Sequence, residues 1–259
     1  TPLGGTGDDS NTYEINVNVN DGTVNVVQAH TIAVVDANDA PVITTTAFTN
    51  IAENQAAIGT LGATDADSSD AITFTITGGN DEDKFVVSGI GGSTLAFNFS
   101  PNFESPTDTG TNNVYEVEIT ATDNGSGSLT GVQTVSVTVI NANEAPVITG
   151  GATDTASVAE NTNAATTVID VAHSDVDSGD TIAYTLTGSV DDGLFDIVSG
   201  TGVVTFKSSP DFETPLGGTG DDSNTYEINV NVNDGTVNVV QAHTIAVVDA
   251  NDAPVITTT

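Results

Sequence analysis

The chain has 259 residues, of which 36 are acidic and 2 basic, for a formal net charge of −34. That balance excludes nucleic acid and direct membrane insertion or binding to anionic membrane surfaces, because such partners need a basic patch or a long apolar span. Cysteine is absent, so no disulfide staples the fold; a bound metal is the other common staple, and carboxylates suit calcium.

In chain order, the first feature is a repeat. Thr1 to Thr46 returns unchanged as Thr214 to Thr259, an offset of 214 − 1 = 213. A finer period lies inside it. Val35-Asp36-Ala37-Asn38-Asp39-Ala40-Pro41-Val42-Ile43 reappears at Val248 to Ile256, with a variant at Ile140 to Ile148. The prolines are spaced 146 − 41 = 105 and 254 − 146 = 108 residues apart. Near-identity over such lengths is the mark of a tandem array. The chain therefore reads as the back of one domain (1–40), two full domains (41–145 and 146–253) and the start of another repeat (254–259). It begins mid-element and reads as a fragment.

Residues 1–40 hold about three strands, too few to close a sandwich; they should expose sheet edges and are expected to be disordered, to borrow strands from another chain, or to be the product of truncation. In the first full domain, Ile72-Thr73-Phe74-Thr75-Ile76 and Tyr115-Glu116-Val117-Glu118-Ile119-Thr120-Ala121 alternate with a period of two; in the second, Tyr226 to Val232 does the same. Such alternation predicts strands with one buried face. About seven short strands per domain and no helix make an all-β, immunoglobulin-like Greek-key β-sandwich. The expected core aromatics are Phe74, Phe85, Phe97 and Tyr115, then Tyr184, Phe195, Phe206 and Tyr226.

Several motifs point elsewhere and fail. Asp175-Val176-Asp177-Ser178-Gly179-Asp180 is like an EF-hand loop, but the twelfth position, which needs glutamate, falls on Leu186, and on Ile76 when counted from Asp65. Gly4-Gly5-Thr6-Gly7-Asp8-Asp9, repeated at Gly217 to Asp222, is like one unit of a Gly-rich calcium β-roll, which needs consecutive stacked units. His30, His173 and His243 have no second histidine at ligand spacing. Asn98-Phe99-Ser100 and Asn124-Gly125-Ser126 are formal glycosylation sequons with little weight in a protein of bacterial look. No catalytic constellation is present, so an enzyme is not expected.

Five short acidic motifs recur in register. They are Glu53-Asn54 and Glu160-Asn161; Asp65-Ala66-Asp67 and Asp175-Val176-Asp177; Asn102-Phe103-Glu104 and Asp211-Phe212-Glu213; Asp21, Asp123 and Asp234 closing the Tyr-led strand; and Asn38-Asp39, Asn143-Glu144 and Asn251-Asp252 before proline. Single Asp and Asn residues populate turns for their own reasons, but five motifs in register call for a shared cause. Calcium takes six to eight oxygens, more than any one stretch here supplies.

In this set and order the sequence resembles the cadherin repeat family, in the form of tandem repeats of a large bacterial surface adhesin of the RTX type. The resemblance implies that the Glu, the Asp-x-Glu and the linker serve one side of an interdomain junction. The Asp-x-Asp and the late-strand aspartate would come from the next domain. It implies one complete junction, built from Glu53, Glu104, Asn143, Glu144, Asp175, Asp177 and Asp234. Six of these are carboxylates, enough to balance three Ca2+ ions. Asn38, Asp39, Asp65, Asp67 and Asp123 would form one partial set, and Glu160, Asp211, Glu213, Asn251 and Asp252 another. Asn102 stands where the family carries aspartate, and Ala40, Ala145 and Ala253 where it carries asparagine. By the same resemblance the chain is an extracellular, cell-surface extender or adhesion segment. Its partners would be adjacent repeats of the same chain, with like domains or polysaccharide on other cells as the alternative.

Overall fold

The computed structural model describes residues 11–67, 69–149, 154–217, 223–254 and 256. The β-roll-like segment at residues 4–9, most of its copy at 217–222, and most of the repeat start at 254–259 lie outside the described residues. The chain divides into two compact units, Thr1–Ile140 and Asn141–Thr259. The division places linker residues 141–145 with the unit that follows them.

The first unit opens with a hairpin of β1 (Thr12–Asn20) and β2 (Asn25–Ala33). Its turn is held by Asp21, whose Oδ1 accepts from the N–H groups of Thr23 and Val24 at 2.9 and 2.8 Å. After the linker come β3 (Val42–Ile43), β4 (Ala47–Ala52), β5 (Ala57–Thr60), β6 (Ala63–Thr64) and β7 (Thr73–Gly78). Then follow β8 (Phe85–Ser88), β9 (Thr94–Phe97), β10 (Val114–Thr122) and β11 (Thr130–Ile140). Four strands form one sheet in the order β4-β11-β10-β7, three form another as β5-β9-β8, and β3 pairs β6.

The second unit repeats this plan. Its strands are β12 (Val147–Ile148), β13 (Asp154–Ala159), β14 (Thr167–Asp170), β15 (His173–Ser174), β16 (Ala183–Leu186), β17 (Phe195–Ile197), β18 (Val203–Phe206), β19 (Thr225–Asn233) and β20 (Asn238–Val248). The sheets are ordered β13-β20-β19-β16 and β14-β18-β17, with β12 pairing β15. The seven strands of the two sheets in each unit match the expected number. Helix among the described residues is confined to three single 3₁₀ turns, Glu82–Lys84, Ile90–Gly92 and Asp192–Leu194.

The period-two pattern does what it predicts. Along β10, Tyr115, Val117, Ile119 and Ala121 are fully buried while the residues between them are half-exposed. All eight expected aromatics lie in the two cores. In the first, Phe85 and Phe97 stack at 5.0 Å and Tyr115 meets Phe97 edge-on at 5.1 Å. In the second, Phe195 and Phe206 lie 4.4 Å apart with Tyr226 edge-on to both. Burial of these rings and of the valine rows supplies the main stabilisation. Leu186 and Ile76, which disqualified the EF-hand, sit inside β16 and β7. His30, His173 and His243 all lie on strands.

Residues 1–40 were expected to hold about three strands; the described part forms two. Among the described residues these two strands pair only with each other.

Candidate metal centre

At the linker end of the first unit, three loops converge. Asn38 and Asp39 come from the strandless segment after β2, Asp65 and Asp67 from the turn after β6, and Asp123 from the end of β10. Asn38 Nδ2 donates to Asp123 Oδ2 at 3.0 Å, and the Asp39 N–H donates to Asp67 Oδ2 at 2.7 Å. The Asp67 N–H donates to Asp65 Oδ1 at 2.9 Å. Asp123 Oδ1 takes the N–H groups of Gly125 and Leu129 at 2.9 and 3.2 Å. The sequence places these aspartates where a strand ends, because a short side chain there can accept from the backbone two residues on.

The second unit builds the same arrangement from a different sequence. Asn143 Nδ2 donates to Asp234 Oδ2 at 3.0 Å, and the Glu144 N–H donates to Asp177 Oδ2 at 2.7 Å. The Asp177 N–H donates to Asp175 Oδ1 at 3.1 Å. Asn141 adds a bond to Asp177 Oδ1 at 2.8 Å. Oxygens of Asp175, Asp177 and Asp180 all lie within 4.8 Å of one another.

Two members of these sets were not among the sequence candidates. Asp70 and Asp180 each fold back against the Asp-x-Asp pair, aided in the first unit by an Asp70 N–H bond to the Asp67 carbonyl at 2.9 Å. Burial pushes Asp70 above the usual carboxylate range, and repulsion from Asp67, Asp123 and Asp65 adds to it. Burial does the same to Asp180, with repulsion from Asp177, Asp175 and Asp234. The signal was present in the sequence: Asp70 follows Asp65, and Asp180 follows Asp175, by the same five positions. Asp234 shifts the opposite way. The Val237 N–H, then the Asn143 amide, hold it below its ordinary value.

A set of acidic residues at the other end of each sandwich uses the Glu-Asn motif. Asn54 and Asn161 take left-handed φ values of 62° and 59°, a conformation asparagine tolerates well. Next to each, the glutamate is buried: Glu53 and Glu160 are each 3% exposed. Glu53 Oε2 accepts from the Phe103 N–H at 2.8 Å, and Glu160 Oε2 from the Phe212 N–H at 2.9 Å. Glu160 Oε1 also takes the Ala250 N–H at 2.8 Å. Oxygens of Glu160, Glu213 and Asp252 lie within 4.8 Å of one another. The backbone donors Ala250 and Phe212 hold Glu160 below the ordinary range, whereas burial and then the facing Glu160 carboxylate raise Glu213. Two carboxylates so placed repel one another, and a proton or a cation between them relieves that repulsion.

The remaining candidates sit at the rim. Glu104 is exposed in the first unit. Asp211 Oδ1 accepts from the Thr214 N–H at 2.8 Å, as Asn102 Oδ1 does from the Ser105 N–H at 2.6 Å. Asn251 Nδ2 donates to the Asp252 carbonyl at 3.1 Å.

Calcium fits these groups on chemistry and geometry. Every donor is a hard oxygen, as Ca2+ requires. Asp65 Oδ2, Asp70 Oδ2 and Asp175 Oδ2 are buried and accept no hydrogen bond, an arrangement that is costly for a carboxylate unless a cation lies against it. A Cβ built on Gly125 would stand 1.8 Å from Asn38 Oδ1 and 2.3 Å from Asp70 Oδ2. The glycine thus leaves open a space that two oxygens face. A cavity of about 210 Å³ there is lined by Asp36, Asn38, Asp67, Asp70 and Gly125, among others.

Residues 48–140, from β4 to the end of β11, match the Cadherin domain family. Among solved structures, the chain is similar to the protocadherin gammaB7 EC3-6 cis-dimer structure, at 19% identity and a TM-score of 0.57 over 91% of this chain and 60% of that one. It is similar to protocadherin gamma B2 extracellular cadherin domains 1-5, at 22% identity and 0.56 over 94% and 47%. It is also similar to human CDH23 EC21-23, at 18% identity and 0.60 over 91% and 74%. The chain thus spans 60% and 47% of the length of the first two. At these identities the likeness speaks to fold, which is a cadherin-type β-sandwich in both units.

Proposed function

We propose that this chain is a calcium-rigidified extender and adhesion segment of a large extracellular bacterial protein, with no enzymatic role. The observation that carries this reading is the duplicate arrangement of acidic oxygens. The same linker amide, linker N–H and Asp-x-Asp contacts recur in both units at matching lengths, with a buried carboxylate oxygen in each that accepts no hydrogen bond. Turn residues alone have no reason to bury an unsatisfied carboxylate twice.

The set Glu53, Glu104 and Glu144 is the repeat counterpart of Glu160, Glu213 and Asp252, by offsets of 160 − 53 = 107, 213 − 104 = 109 and 252 − 144 = 108. On that equivalence, Glu53 and Glu104 join Asn143, Glu144, Asp175, Asp177 and Asp234 in a complete calcium junction. Asn38, Asp39, Asp65, Asp67 and Asp123, and Glu160, Asp211, Glu213, Asn251 and Asp252, are the matching halves of two others. The chain's own carboxylates orient the ions and, without them, repel one another. Ligands drawn from both sides of a linker turn binding energy into a fixed interdomain angle, so an array of repeats holds its outermost domain away from the cell.

Among the described residues no helix is long and apolar enough to cross a membrane, and the acidic surface suits an extracellular array. A polysaccharide-binding role gains no support, because no described Phe or Tyr is fully exposed to stack on a sugar. Calorimetric titration of the chelator-stripped chain tests the reading. Calcium should bind with affinities of about 10⁻⁴ to 10⁻³ M and magnesium far more weakly, and both Asp175→Ala and Asp177→Ala should remove sites. Absence of calcium heat, or equal binding of magnesium, would refute it.

A further inference from the structure

The loop between β10 and β11 carries the chain's single Asn-Gly pair, Asn124-Gly125, and the fold explains both residues. A Cβ on Gly125 would lie 1.8 Å from Asn38 Oδ1 and 2.3 Å from Asp70 Oδ2, so only glycine fits there. Asn124 is exposed, yet its Oδ1 accepts from the Ala71 N–H at 2.7 Å, which ties this loop to the segment entering β7. The Gly125 N–H donates to Asp123 Oδ1 at 2.9 Å. A glycine nitrogen has no neighbouring side chain to shield it, so it reaches the carbonyl carbon of the asparagine before it more readily than any other residue's nitrogen. An N–H already bonded to the amide oxygen polarises that carbon and stabilises the charge that develops on the oxygen under attack. The counterpart in the second unit is Asp234-Gly235, where an ionised carboxylate, a poor electrophile, stands in place of an amide.

We propose that Asn124 is a self-modification site, at which the folded chain converts its own asparagine to aspartate and isoaspartate. The Gly125 nitrogen gives up its proton to hydroxide and forms a bond to Asn124 Cγ. The bond from Cγ to the side-chain nitrogen breaks, and that nitrogen takes a proton from water and leaves as ammonia. Water then opens the five-membered imide at either carbonyl. One opening gives aspartate, whose carboxylate still accepts from the Ala71 N–H. The other gives isoaspartate, whose main chain runs through Cβ and is one carbon longer. The loop has no slack for that carbon, because Gly125 already packs against Asn38 and Asp70. Isoaspartate should therefore break the Gly125 bond to Asp123 and, with it, the hold of Asp123 Oδ2 on Asn38 Nδ2, at 3.0 Å in the unmodified chain. The reaction needs no metal ion and stands apart from the calcium reading.

The test incubates the full chain in chelator at mildly alkaline pH and follows its peptic peptides by mass. Asn124 should gain the mass of an amide-to-acid change severalfold faster than any other asparagine, with ammonia released in equal amount and a rate proportional to hydroxide. Ala71→Pro removes the N–H that faces Asn124 and should slow the conversion by roughly tenfold, less than the hundredfold or more that such a donor supplies in a closed site. Equal rates at Asn124 and at other asparagines would overturn the proposal, as would an Ala71→Pro chain that converts as fast as its parent. Should Ala71→Pro unfold the loop, the parent chain is compared with a free peptide of residues 119–130. The proposal requires the folded chain to convert at least as fast, and a folded chain that stays intact while the peptide converts overturns it. Amide exchange over residues 61–72 should quicken as isoaspartate accumulates and stay unchanged in Asn124→Asp; unchanged exchange in the isoaspartyl product would overturn the predicted loop rearrangement.

Discussion

Replacing Asp177 by alanine separates a metal ligand from a turn-forming residue. Asp177 accepts from the Glu144 N–H at 2.7 Å and from Asn141 Nδ2 at 2.8 Å. Hydrogen bonds to a charged group contribute about 1.5–3 kcal/mol each, so their loss costs about 3–6 kcal/mol. Against that, an Asp177 oxygen lies within 4.8 Å of an Asp175 oxygen. Two like charges at that separation repel by about 3–4 kcal/mol at an effective dielectric near 20, before salt screening, and Asp180 adds to the repulsion. Without calcium the two effects partly offset, and Asp177→Ala should change stability by no more than about 3 kcal/mol. With calcium the ion converts repulsion into attraction, so the full loss stands. The melting temperature of the second unit should then fall by on the order of 10 °C. Melting in calcium and in chelator, with hydrogen exchange of residues 183–206 to isolate this unit, measures both. An equal fall in both conditions would mean that Asp177 serves only the linker backbone, and would refute the ligand assignment.

Three further outcomes follow from the same geometry. In chelator, Asp70, Asp180 and Glu213 hold protons more tightly folded than unfolded, so stability should rise as pH falls toward their raised values. Glu160 and Asp234 act oppositely, and their contribution is lost as pH falls below about 4; melting against pH should therefore peak at mildly acidic pH without calcium and only decline on acidification with it. Gly125→Ala, whose Cβ would collide with Asn38 and Asp70, should remove calcium binding from the first unit while leaving its sandwich folded, as read by amide exchange of β10. Asn102→Asp should strengthen calcium binding by roughly tenfold, matching the gain of one charge in the ligand set, and titration calorimetry should show no change if Asn102 lies away from the ions.

Much of this was legible in the residues. Period-two alternation located β10 and β19 and named their buried rows, because a half-buried strand has no other way to satisfy both faces. The acidic motifs were found because they recur in register, which single turn aspartates do not. Asp70 and Asp180 were passed over because the stretch that holds Asp180 is like an EF-hand loop, and rejecting that loop discarded its third aspartate too. The parallel pairing of β4 with β11 and of β13 with β20 leaves no trace in either strand's own pattern, since a parallel and an antiparallel neighbour bury the same face. Asn141 was missed for a different reason. Its role lies in an amide reaching Asp177, 36 positions away, and the equivalent positions carry Asp36 and Asp249 instead.

The most direct test of the central claim is small-angle scattering of the two-unit stretch 41–253 within the full chain during calcium titration. Calcium junctions predict that the distribution of dimensions narrows and the maximum dimension becomes fixed, with the same midpoint as calorimetric binding. They predict also that Asp175→Ala and Asp177→Ala abolish this change while each sandwich stays folded. Dimensions that do not respond to calcium, in a chain that nonetheless binds it, would contradict the account.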